Sequence, residues 1–368
     1  MDFVNETKVE AGWTLGFEPD GRELLVVAIK ATFQIPKNGE EPELAEEQVQ
    51  LTEADEFTGD PGDSATLYET DYAHRKPFCD VLLNGSAYAP RGRPTKSVRV
   101  TIRVGTMTKS FNVVGDRIWD RNILSVTPTP HRPFVRMPIS YDRAYGGADK
   151  HPDKPEKIKT YTKNPIGVGY HPYSNGKHLK GKPLPNNEEI GKRVKSKNGK
   201  YHPMSFGPIG RNFESRIPFA GTYDQKWLDN VAPFWPDDFD YRYFQAAPPD
   251  QQIPYPKGGE PVILQNLSPE GLTKFQIPKV SMPVIFIPYR GEDIIKESVI
   301  DTILIEPDHN RFMLTWRVSL PMRINCFELY QIIVGKRLSS WHWERRATAK
   351  GKPYFKGISE YIKAKNAV

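Results

Sequence analysis

Cysteine is nearly absent. The chain has two, Cys79 and Cys326, far apart and outside any C-x-x-C pair. That excludes a disulfide framework, a cysteine-built zinc site and a dithiol redox motif. Each is expected to be a small core residue, and a reducing compartment fits. Long apolar runs are missing too. The longest, LLVVAI at Leu24–Ile29, is strand-sized, far short of the ~20 residues that span a bilayer as a helix. The opening MDFVNETKVE has no basic stretch followed by an apolar one. No signal peptide is read there, and a soluble, cytoplasmic protein with no membrane partner is expected.

Chemical signatures are also sparse. There is no HExxH, EF-hand loop, Walker spacing or G-x-S-x-G elbow, so the usual zinc-protease, calcium, nucleotide and serine-hydrolase readings have no support. Three of the eight histidines, His151, His171 and His202, stand directly before proline, where they more often face a turn than a metal. Glu306, Asp308 and His309 sit together in EPDHN, a hairpin tip whose carboxylates are expected to face water. Pro236-Asp237-Asp238 and Pro307-Asp308 resemble the start of a metal-nuclease motif but lack the Glu-x-Lys partner. No catalytic residue, cofactor or metal site is therefore assigned, and a non-enzyme is expected.

Proline and charge are what the sequence does have. Thirty-four prolines and 28 glycines predict many turns and few long helices. The net charge of +6 hides a strong segregation. Residues 1–75 hold 18 acidic against 5 basic side chains, residues 149–216 hold 15 basic against 6 acidic, and residues 336–368 are basic again. Either these patches neutralise one another in the fold or they polarise the surface toward charged partners.

The periodic segments read as strands. In Leu24–Ile35, Val27, Ile29, Ala31, Phe33 and Ile35 alternate with Lys30, Thr32 and Gln34, which predicts a half-buried strand with the polar set in solvent. Val98, Val100, Ile102 and Val104 alternate with Arg99, Thr101 and Arg103 in the same way. KSFNVVGDRIW supplies a partner strand. CDVLLNGSAYAP is strand-like with a bulge or turn at its Asn-Gly. In Asp301–Pro321, Phe312, Leu314, Trp316, Val318 and Leu320 share one face. Between these stretches, 126–260 is proline-punctuated and largely irregular, with one helix expected at Thr222–Asn230 and Thr222 as its N-cap. Phe355, Ile358, Tyr361 and Ile362 have helical spacing, so a short amphipathic helix is expected in the basic tail.

The fold class read from this pattern is mainly β (β-rich α+β): antiparallel strands in sandwich-like sheets, long Pro/Gly-rich loops and few short helices. The regions run 1–125 (β-rich), 126–260 (loop-rich, basic and aromatic), 261–335 (β-hairpins) and 336–368 (basic tail), with 1–335 able to form one compact domain.

One heptad concentrates polar groups: YDRAYGG, Tyr141–Gly147. Gly146 and Gly147 allow backbone angles that other residues avoid, which favours a structural role. Tyr141, Arg143 and Tyr145 are also the residue types that anchor interfaces. The same choice, docking or structure, applies to Phe206 and Arg211 in SFGPIGR and to Asp238, Phe239 and Tyr241 in DDFDYRYF. Taken in order, ELLVVAIKATFQI, KPFCDVLLNGSAYAPRGRP, YDRAYGG, NPIGVGY, LPNNE, SFGPIGR, GTYDQKWL, LQNLSPEG and DTILIEPDHNRFMLTWR make the chain resemble the bacterial family of type VI secretion effector adaptors, or chaperones. The resemblance implies a cytoplasmic, non-enzymatic protein that binds a type VI secretion effector, or its PAAR-type domain, and helps load it on the VgrG spike. Two other classes compete: a metal-dependent hydrolase or nuclease, and a nucleic-acid-binding module using the basic 149–216 segment. Neither nucleic acid nor a cofactor is expected on the resemblance.

Overall fold

The structure, a computed structural model, describes residues 1–366 apart from 38, 122–124, 338–340, 342–344, 346, 348–350 and 356. It is dominated by β-strands, and the few helices among the described residues are short.

The central sheet has six strands in the order Gln252–Ile253, Cys79–Leu83, Val299–Glu306, Arg311–Pro321, Glu23–Gln34, Glu10–Phe17. Its pairings are antiparallel except for Cys79–Leu83, which runs parallel to Val299–Glu306. A five-stranded sheet follows the order Asn187–Glu188, Met107–Val114, Ser97–Val104, Pro261–Gln265, Leu272–Gln276, and a four-stranded sheet the order Asp2–Asn5, Leu329–Val334, Pro283–Pro288, Ile294–Glu297. Strands from both ends of the sequence therefore share sheets. No described helix is long and apolar enough to cross a membrane.

Period-two alternation explains the main core. Leu25, Val27, Ile29, Ala31 and Phe33 from one central strand, and Phe312, Leu314, Trp316, Val318 and Leu320 from its neighbour, project to one side. They meet Val100, Ile102, Phe111 and Leu264 of the five-stranded sheet and Val284, Phe286, Ile332 and Val334 of the four-stranded sheet in one continuous cluster. Cys79 lies in it; both cysteines are free and buried.

The opposite face of the central sheet departs from expectation. Lys30 and Thr32 are buried, not solvated. The acidic loop around residues 45–76 folds over that face, so the alternating polar residues meet protein groups. Lys30 Nζ donates to Asp71 Oδ2 (2.8 Å) and Thr52 Oγ1 (3.2 Å), and the Thr32 backbone N–H donates to the Gln48 side chain (2.8 Å). The hairpin tip also departs from a solvated one. Glu306 is fully buried, accepting from Arg311 Nε at 2.7 Å and from the Tyr68 hydroxyl, while Asp308 accepts from Ser86, Tyr88 and Arg136.

Segment 126–260 contains only short elements. It holds a one-turn helix, Gly176–Leu179, and the expected helix, which runs Gln225–Asn230 with Asp224 as its N-cap, the Asp224 carboxylate accepting from the Trp227 N–H at 2.9 Å. Thr222 lies outside the helix and is bound by Asp238. In the tail, Ile358–Asn366 is helical, with Ile358, Tyr361 and Ile362 exposed; Phe355 precedes it, its ring 5.5 Å from that of Tyr361.

Candidate functional site

YDRAYGG is a junction at which consecutive residues hold different segments. Tyr141 is buried edge-on against Phe213 (5.4 Å between ring centroids) in a small cluster with Ala65, Ala144 and Ile209. Asp142 does not pair with Arg143. Its carboxylate accepts from the Ala65 N–H and the Thr58 hydroxyl, both at 2.8 Å, and so ties the acidic N-terminal segment to the heptad. Arg143 Nη1 donates to Asn186 Oδ1 at 3.0 Å and lies 3.9 Å from Asp116. Tyr145 is buried at the centre of a second, aromatic core, with Tyr201, Tyr161 and Tyr170 around it and Trp119, Leu179 and Leu184 beside it.

The two glycines follow from this packing. Gly147 has φ +97°, and a Cβ there would collide with the Gly167 carbonyl oxygen; one at Gly146 would collide with the Asn164 carbonyl oxygen. Asn164 in turn donates through Nδ2 to the carbonyls of Tyr141 (2.9 Å) and Tyr145 (3.2 Å). The geometry is that of a backbone crossing closed by side-chain hydrogen bonds.

The other residues singled out in the sequence are dispersed. Phe206 is fully buried against Phe111 (4.5 Å) in the main core. Arg211 pairs with Asp55 at 2.8 Å and Glu69 at 3.4 Å; these two carboxylates hold the Arg211 guanidinium charged against the cost of burial. Phe239 stacks on Trp235 (4.3 Å), and the Tyr241 hydroxyl donates to Glu18. Asp238 accepts from the backbone and hydroxyl of Thr222 at 2.9 and 2.7 Å. Among the described residues, no group of three or more His, Cys, Asp or Glu is placed to hold a metal ion.

Buried charge, unexpected from the alternation of the strands, lines the second face of the central sheet. Arg317 forks onto Asp301 (Nε–Oδ2 2.6 Å, Nη2–Oδ1 3.1 Å) and also donates to the carbonyls of Asp71 and Ala73. Lys76 meets Asp80 at 2.8 Å and Thr302 at 3.0 Å. Burial alone would lower the Lys76 ammonium's pKa, but Asp80 and Asp301 outweigh it and hold it raised. Asp80 further accepts from the Gln245 side chain and from the backbone of Ala246 and Ala247. Every strong acceptor here faces a donor, which is the arrangement that makes buried ions tolerable and fixes one register of the covering loops.

Three surfaces among the described residues bear on binding. The first is a cavity of about 410 Å³ between the heptad and the five-stranded sheet, with Met204, Ile209 and Phe213 on its apolar side and Lys109, Tyr141 and Asp250 on its polar side. Lys109 is buried, which lowers its pKa, and donates to Gln251 Oε1 at 2.7 Å and Asp250 Oδ1 at 3.2 Å. The second is the basic lobe. Its hairpin strand Lys154–Thr160 is exposed at every residue. Arg211 and Arg216 of segment 149–216 do neutralise acids of the N-terminal segment, Asp55 and Glu69, but Lys182 and Lys192 pair within the lobe.

The third surface is apolar and was missed in the sequence. On the edge strand Glu10–Phe17, Trp13, Leu15 and Phe17 are 37%, 40% and 41% exposed. Beyond its end lies a turn carrying Ile324 (80% exposed) and Phe327 (78%). That turn is pinned by the Met322 N–H to the Glu23 carbonyl and the Cys326 N–H to the Glu23 carboxylate, both 2.8 Å, and Glu23 pairs in register with Phe17. The alternation in WTLGF was the legible signal; it reads as an ordinary half-buried strand until the sheet order puts it at an edge.

A family model described as "Uncharacterized protein conserved in bacteria (DUF2169)" matches residues 20–317. No curated protein and no solved structure matches the chain.

Proposed function

The chain belongs to that bacterial family, and we propose that it is a stoichiometric adaptor, not a catalyst: it binds a type VI secretion effector, or the effector's PAAR-type domain, in the cytoplasm and helps seat it on the VgrG spike. Family membership supports an accessory role in type VI secretion, and the ordered motifs set out above supply the partner class.

The observation that carries a binding role is the apolar flank. Trp13, Leu15, Phe17, Ile324 and Phe327 expose large side chains in one region of the surface. Large exposed apolar side chains gathered in one region, unlike scattered single ones, mark protein-interaction sites, and tryptophan and phenylalanine are enriched there. The heptad serves this role indirectly. By tying the acidic N-terminal segment, the basic lobe and the cavity wall together, it fixes the surface that the partner meets.

Co-expression with the effector and PAAR-type proteins encoded beside it, followed by affinity purification, tests the reading. A complex of defined stoichiometry is expected. The basic lobe motivates a control: nucleic-acid binding that falls steeply with salt, in the absence of any effector complex, would favour the nucleic-acid reading instead.

A further inference from the structure

We propose that Glu10–Phe17 is a receptor edge. An extended segment of the partner polypeptide, apolar at every second position and basic at its ends, adds to the central sheet there as a seventh strand. This rests on the adaptor reading and specifies how the partner is held and what chemistry it presents.

The first ground is a comparison of sheet edges. An open edge is a template for pairing, and proteins blunt it by keeping it short or placing charge on it. The far edge of the central sheet, Gln252–Ile253, and one edge of the five-stranded sheet, Asn187–Glu188, have two residues each. Leu272–Gln276 carries Lys274 near its middle, Ile294–Glu297 ends in Lys296 and Glu297, and Asp2–Asn5 is four residues long and begins with an acid. Glu10–Phe17 is different. It has eight residues, EAGWTLGF, with no proline and no charge after Glu10. It pairs from Glu10↔Lys30 to Phe17↔Glu23 without a register shift.

The second ground is which parts of the strand are open. Among the described residues its one ladder partner is Glu23–Gln34, so its outer backbone groups point away from the sheet; Phe17 O accepts from Trp235 Nε1 at 3.1 Å, which closes that end. On one face Tyr72 and His74 lie against Gly12 and Gly16. On the other, Trp13 and Leu15 stand opposite Val27 and Leu25 and carry the core outward past the sheet edge. An added strand would satisfy the outer amides and cover these side chains with its own residues of matching parity.

The third ground is charge. Residues 1–23 carry six carboxylates against Lys8 and Arg22. Glu6, Glu18 and Asp20 are paired with Arg337, Arg75 and Arg22, which leaves Asp2, Glu10 and Glu23 against Lys8 to give the edge an acidic rim. Cationic ends on the incoming strand complement it, and a second copy of this chain, bringing the same acidic rim, does not.

The test uses the full chain and a synthetic peptide of alternating valine and threonine flanked by lysine pairs. Hydrogen exchange is followed residue by residue. The peptide is expected to slow the outward-facing amides of Glu10–Phe17 by at least about tenfold, and its glutamate-flanked counterpart to bind at least about tenfold more weakly. The Trp13→Lys/Leu15→Lys variant, which replaces half-exposed side chains, is expected to lose that protection, while Ile158→Ser, on the exposed hairpin strand of the basic lobe, keeps it. Absent protection, protection elsewhere, or equal binding of the two peptides would overturn the proposal. So would a dimer of the chain alone with these amides already protected, because the edge would then belong to a second copy. Capture of the effector by the doubly lysine-substituted variant at wild-type level would leave the adaptor reading standing and remove this edge from it. No capture by either form would remove the adaptor reading itself.

Discussion

Arg317 and Asp301 face each other on adjacent central strands as a two-point pair, 2.6 and 3.1 Å, entirely beneath the loops that cover the sheet. Both side chains are almost completely inaccessible. A buried pair of this kind is weak evidence of net stabilisation, but removing one partner strands the other's charge. Arg317→Met alone is expected to cost about 3–5 kcal/mol, and Asp301→Asn a comparable amount. The double replacement Arg317→Met/Asp301→Leu is expected to recover a large part of that loss. Urea unfolding of the three variants measures it; additive losses in the double variant would contradict the coupling.

Tyr141 separates burial from hydrogen bonding. Its ring is packed on Phe213, the residue lines the cavity, and among the described residues its hydroxyl has no hydrogen-bond partner. Burial pushes the phenol up, so it stays neutral at any pH the fold survives. Tyr141→Phe is expected to change stability by no more than about 0.5 kcal/mol. Tyr141→Ala is expected to cost about 3–5 kcal/mol, through the cavity it leaves. A large loss for the phenylalanine variant in thermal or urea unfolding would show that the hydroxyl is structural after all.

Acid should loosen the basic lobe in two steps. His171 is buried there with both ring nitrogens unbonded; burial first, and then the charge of Lys182, lower its pKa to about 4 although Asp149 lies 3.7 Å away. The unfolded chain takes up that proton near 6.5. Between those values the unfolded state binds more protons, so stability falls as pH drops from 6.5 to 4, by on the order of 2 kcal/mol. His131 acts in the same window: burial, then Arg117, lowers it to about 4. Asp149 follows at lower pH. Burial would raise it, but hydrogen bonds from Lys182, Ser174 and the Tyr173 backbone outweigh that and hold it at about 2, so its contribution is complete above its ordinary value near 4 and is lost toward 2. The near-ultraviolet circular dichroism of the tyrosine cluster, followed against pH, is expected to fade first in the histidine window, and His171→Gln to reduce that early loss.

The sheet strands were legible because each is long enough for its period to show. Phe312–Leu320 and Val98–Val104 lie on the faces their alternation indicates. Lys30, Thr32 and Glu306 were misread for one reason: a polar residue at period two points away from the core, but whether it meets water depends on what folds over the second face. Here the cover comes from Thr52 and Asp71 and, across more than 200 residues of sequence, from Tyr68 to Glu306. No local pattern encodes that. The helix cap slipped from Thr222 to Asp224 because Asp238 claims the threonine. Within the heptad, the need for Gly147 was readable and its cause, the Gly167 carbonyl, was not. The apolar flank was hidden in plain alternation, since Trp13, Leu15 and Phe17 differ from core residues only in lacking a strand beyond them.

Affinity purification of the full-length chain, co-expressed with a type VI secretion effector and a PAAR-type protein and analysed by light scattering, tests the central claim most directly. A stable complex of fixed stoichiometry, with the effector released intact and unmodified on dissociation, is the predicted result. A chain that captures neither, or that converts a substrate by itself through a residue whose loss stops turnover, contradicts it.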